Sequence, residues 1–102
     1  MALLSRKELL ALGFEEGDGP VINEYQNYIV LRFFIHKEKP WIRVEEHCPK
    51  QYLNHMRSQH IMSVIINYGT KDGEIVYSTD EVQRYLRHHT GFPNNRNKLN
   101  AF

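Results

Sequence analysis

The sequence predicts an α+β fold: a small antiparallel sheet of four to five strands, with N- and C-terminal helices packed on one face. Three observations carry this. Each end spells a short capped helix. The middle holds several runs with two-residue alternation, separated by turn residues. The resulting order, helix then strands then helix, suits an antiparallel sheet rather than alternating βαβ units. The expected domain covers residues 1–93, followed by a polar, basic tail at 94–102.

The first helix is expected over residues 6–12. Ser5 and Glu8 have capping-box spacing, Leu4 and Leu9 have staple spacing, and Gly13 stands where a left-handed C-terminal residue is wanted. Phe14 can fold back on Leu9. Residues 15–20, EEGDGP, read as an acidic loop, and residues 21–25 as a short strand ending in a Gln26-Asn27 turn. The stretch YIVLRFFIH, Tyr28–His36, is the expected central strand. Its odd row, Ile29, Leu31, Phe33 and Ile35, is wholly apolar and is expected to face the helices. Residues 37–40 turn the chain into a strand over 41–47, where Ile42 and Val44 share one face and Trp41, Arg43 and Glu45 the other.

Residues 48–60 form an insert. Pro49 suits a first helical position, and Tyr52, Leu53, Met56 and His60 have helical spacing, so a short helix is expected. A strand over 61–68, a turn at 70–73 containing Asp72-Gly73 and a strand over 74–77 make a hairpin. The last helix repeats the opening grammar: Ser78 with Glu81 as capping box, Tyr77 with Val82 as staple, and Val82, Tyr85 and Leu86, extended by His89, as inward stripe. Gly91 and Pro93 end it.

Two of these segments also resemble a known group. SRKELLALGF (residues 5–14) and STDEVQRYLRHHTG (residues 78–91, matching at Thr79, Val82, Gln83, Leu86, Thr90 and Gly91) are similar to the opening and closing helices of small helix-strands-helix proteins encoded by Bacteroidetes and their phages. The resemblance covers about a quarter of the 102 residues. It implies a small accessory or phage-type protein and supplies no catalytic residue.

Composition narrows the classes further. A net charge of +1 points to no particular partner, and a single cysteine, Cys48, rules out an internal disulfide and fits a reducing cytoplasm. No apolar run approaches the ~20 residues of a membrane helix, and MALLSRKELL lacks the uninterrupted apolar core of an export signal. Six histidines invite a metal reading, and the His55/His60 spacing suits a zinc pair, but no second ligand pair accompanies it. Neither a Gly-x-Ser-x-Gly elbow, a phosphate-cradling glycine loop nor a His-Glu-x-x-His helix is present, so no enzyme, metal or cofactor is expected.

Two surfaces remain as candidates. The even row of the central strand and its neighbour, with Tyr28, Arg32, Phe34, Trp41 and Arg43, offers an aromatic and arginine face suited to a protein partner or to self-association. The insert at 48–60 could instead fold over that face. As the alternative, aromatics interleaved with arginines stack nucleobases, and Arg84, Arg87, Arg96 and Lys98, in a stretch with no acid, would follow a phosphate backbone.

Overall fold

The computed structural model describes residues 3–22 and 25–89. Helix α1 (Arg6–Ala11) precedes strands β1 (Phe14–Glu16), β2 (Val21–Ile22), β3 (Tyr28–His36), β4 (Ile42–Pro49), β5 (Met62–Asn67) and β6 (Asp72–Ile75), and helix α2 (Thr79–His88) closes the series. All pairings are antiparallel. The sheet order follows the sequence, except that β1 and β2 both pair with β3 and together form one interrupted edge strand. The expected α+β fold is present, with β1 and β2 replacing the single short strand read over 21–25.

Both helices start as their sequences dictate. The Ser5 hydroxyl accepts from the Glu8 N–H at 3.2 Å, and the Ser78 hydroxyl from the Glu81 N–H at 3.3 Å. The carboxylates depart from the simple box. Glu8 accepts a 2.6 Å hydrogen bond from the Thr79 hydroxyl, tying the first helix to the last. Glu81 accepts from the Tyr77 N–H at 2.8 Å. Leu4 and Leu9 are both buried, as a staple requires, but Tyr77 is exposed and Val76 takes its place in the core. Gly13 ends α1 at φ +100°, and a Cβ there would stand 2.9 Å from the His36 ring.

One irregularity decides which side of β3 meets the helices. Val30 lies opposite His47 but Arg32 opposite Glu46, so β3 carries one extra residue between them, a β-bulge. Before the bulge Ile29 shares a face with Cys48; after it Phe34 shares a face with Val44. Phe34 is fully buried in a cluster with Leu9, Phe14, Ile42, Val44, Ile65, Val82 and Tyr85. The expected inward row is therefore corrected. Ile29 points to the helices as read, but beyond the bulge the even residues Arg32, Phe34 and His36 do so, while Phe33 and Ile35 face away.

Arg32 reaches the helix side because its charge is met there. Its guanidinium holds the buried Glu46 carboxylate through two hydrogen bonds, 2.8 and 2.6 Å, and donates a third at 3.0 Å to the Leu4 carbonyl just before α1. His36 is also buried: Nε2 donates to the Leu12 carbonyl at 3.1 Å, and Nδ1 accepts from the N–H groups of Glu38 and Lys39. Burial, then the nearby Lys39, pushes its pKa below the ordinary histidine value.

The insert is not an α-helix. β4 runs on through Pro49, whose ψ of 140° is extended, and two 3-10 turns follow at Lys50–Tyr52 and Ser58–His60. The residues with helical spacing meet differently: the Tyr52 ring stacks on His60 at 3.7 Å, with His55 edge-on at 6.0 Å. The β5–β6 turn comes earlier than read. The Asn67 side chain accepts from the N–H groups of Gly69 and Thr70, and Lys71 takes the left-handed conformation at φ 62°.

Candidate functional site: the open face of the sheet

With both helices on one side, the reverse face of the sheet follows from strand register. The edge strands contribute Glu15 and Val21; β3 contributes Tyr28, Val30, Phe33 and Ile35; β4 contributes Arg43, Glu45 and His47; β5 contributes Met62, Val64 and Ile66; and β6 contributes Ile75. Among the described residues no α-helix lies on this side, and the 3-10 turn at Ser58–His60 borders one corner of it. Met62 is 43 % exposed, Ile75 45 % and the adjoining Tyr68 56 %. The insert does not cap the face with its own apolar side chains, since Leu53 and Met56 are exposed and Tyr52 is held by His60.

An ionic row runs down the middle. Glu45, only 5 % exposed, takes Arg43 Nη2 at 3.1 Å on one oxygen and His47 Nε2 at 2.7 Å on the other. Residues two apart on a strand share a face, so the motif Arg43-x-Glu45-x-His47 makes this contact inevitable. Aromatic rings flank it. The Arg43 guanidinium sits 4.3 Å over the Phe33 ring and 5.9 Å from the centre of Tyr68, while Tyr28 stacks on His47 at 4.2 Å. Partial burial, followed by the negative charge of Glu45, pushes the Tyr68 phenol above its ordinary value. Arg43 Nε has no hydrogen-bond partner among the described residues. At one corner a groove of about 210 Å³ is lined by His60, Ile61, Met62, Ile75 and Tyr77.

The residues singled out from sequence are divided by this arrangement. Tyr28 and Arg43 belong to the open face. Phe34 is core and Arg32 is bound to Glu46 on the helix side, so neither lines that face. Trp41 is half-buried against the core cluster. Arg84 and Arg87 are exposed on α2, behind the sheet, and Arg96 and Lys98 lie outside the described residues. Phe33, Glu45, His47, Met62, Val64, Ile66, Tyr68 and Ile75 were missed, although the β3–β4 register would have found the first three.

The remaining chemistry-bearing side chains do not converge. Cys48 is fully buried on the helix side, and burial pushes its thiol up, away from the reactive thiolate. Among the described residues no group of three or more His, Cys, Asp or Glu side chains could hold a metal ion, and no helix is long and apolar enough to cross a membrane.

Fold and site together define a helix-backed antiparallel sheet with one apolar face turned outward around a neutralised ionic row. Compared with known proteins, the chain matches no family model, no curated protein and no solved structure.

Proposed function

We propose that this protein is a non-catalytic interaction module of the cytoplasm, whose open sheet face binds another polypeptide surface. The observation that carries this reading is the exposure of Met62, Tyr68 and Ile75 around a carboxylate already bound on both oxygens. Contiguous exposed apolar surface rimmed by polar groups is characteristic of protein contacts. Aromatic rings and arginine at its centre are the residue types that dominate binding energy. An accessory role also agrees with the terminal-helix resemblance to small Bacteroidetes and phage proteins.

The nucleic-acid alternative has less support. It needs unneutralised cations beside stacking rings. Arg43 is engaged by Glu45, and Arg84 and Arg87 stand on the opposite side of the sheet.

A photo-crosslinking side chain at position 75, compared with one at Gln83 on the outer surface of α2, tests the proposal in the native cell. Discrete polypeptide adducts, to a second copy or to another protein, are expected from position 75 and not from 83. Equal adducts from both positions, or none from 75, would refute it.

A further inference from the structure

We infer that the occupant of the open face is a second copy of this chain, packed sheet against sheet about a two-fold axis. This rests on the interaction reading above and commits it to one partner.

The first argument is charge. A heterologous ligand selected by electrostatics needs an unpaired charge to meet, and the centre of this face offers none: Arg43 and Glu45 cancel within one row and His47 is bonded to the same carboxylate, while the exposed Glu15, opposite Ile35, stands at the β1 rim. An identical face brings the same internally neutral row, so two copies meet without a net like-charge penalty.

The second argument is desolvation. Covering a carboxylate ordinarily costs heavily because its water must be removed. Glu45 has already lost that water in the single chain, being 5 % exposed and bound on both oxygens. What remains to be covered is mainly apolar: Phe33, Val64, Ile66, Met62, Ile75 and the Tyr68 ring.

The third argument is area. The sheet is five strands wide; at ~4.8 Å between strands and ~3.3 Å per residue, its face gives a flat footprint of about 500 Å². Side-chain relief raises the accessible area toward the roughly 800 Å² per partner of a standard interface. The sheet edges are poorer alternatives. One is broken between β1 and β2 by residues 17–20, with Pro20 and three acids, Glu15, Glu16 and Asp18, along it; the other, β6, has four residues, two of them acidic.

The test is sedimentation equilibrium of the purified full chain across a concentration series. Three variants accompany it: Met62→Lys with Ile75→Lys, both half-exposed so that the monomer still folds; Tyr68→Ser; and Gln83→Lys as a charge control. Wild type and the control should sediment at twice the monomer mass. The double variant should keep its circular dichroism spectrum while dimerisation weakens by roughly 30-fold or more. Tyr68→Ser, which adds no charge, should weaken dimerisation in the same direction. A wild type that stays monomeric overturns the inference, as does a dimer indifferent to the face variants. If the wild type is monomeric yet position 75 still captures a different polypeptide, only the choice of partner falls; if position 75 captures nothing, both proposals fall.

Discussion

Phe33 and Phe34 are neighbours of the same residue type on opposite faces, and they make the sharpest test of the fold. Phe34 is fully buried between the helices and the sheet, packed among Leu9, Val44 and Val82. Truncating such a ring removes its transfer energy and leaves a cavity, so Phe34→Ala should cost about 3–5 kcal/mol. Phe33 is partly exposed, lying under the Arg43 guanidinium and so close to the chain at Gly17 that no side chain would fit there against its ring. Its truncation should cost about 1–2 kcal/mol. A domain of this size has a total stability of roughly 5–15 kcal/mol, so Phe34→Ala would approach the folding threshold. Urea unfolding at low micromolar protein reads both changes. With a slope near ~2 kcal/mol/M, Phe34→Ala should lower the midpoint by about 2 M and Phe33→Ala by less than 1 M. Should Phe34→Ala not fold, Phe34→Leu against Phe33→Leu keeps the same ranking at smaller amplitude. Equal losses, or a larger loss at Phe33, would show that the bulge does not reverse the faces.

Removing the Arg32 side chain should also be costly. Arg32→Ala leaves the buried Glu46 carboxylate unpaired and should lower stability by about 3–5 kcal/mol in thermal or urea unfolding, whereas the double change Arg32→Met with Glu46→Met should lose markedly less. An equal loss in both would mean that the ion pair, once formed, carries the whole effect. His36 predicts a pH slope. Its folded pKa is lowered from 6.5, so the unfolded chain binds the proton more readily. The contribution is therefore complete above pH 6.5, falls as pH drops from there to the folded pKa, and levels off below it. Urea midpoints between pH 7.5 and 5 should show this decline, and it should shrink in His36→Gln; an unchanged slope would assign the proton to another group.

Much of the framework was legible. Helix starts are governed by local chemistry, so Ser5, Glu8, Ser78 and Glu81 placed both helices without knowledge of the rest. The face of β3 was not legible from β3 alone. Apolar residues occupy both of its rows, and the arginine at position 32 pointed outward only while its partner was unknown. The information lay in the pairing. Ile35 opposite Arg43 joins even residues to even ones, so the apolar Ile42 and Val44 could only bring Phe34 inward with them. The insert misled for a related reason: Tyr52 and His60 attract one another by ring stacking, and a turn of the loop achieves that as readily as a helix. The candidate site inherited the reversed parity of β3, which exchanged Phe33 for Phe34 and placed Arg32 on the wrong side.

The 2.6 Å bond between Thr79 and Glu8 joins residues 71 positions apart. During synthesis this contact between the two helices can form only after α2 has followed α1 out of the ribosome. Nascent chains stopped short of α2 would hold a half-covered sheet in need of protection, and packing of the core should arrive in one late step rather than piece by piece along the chain.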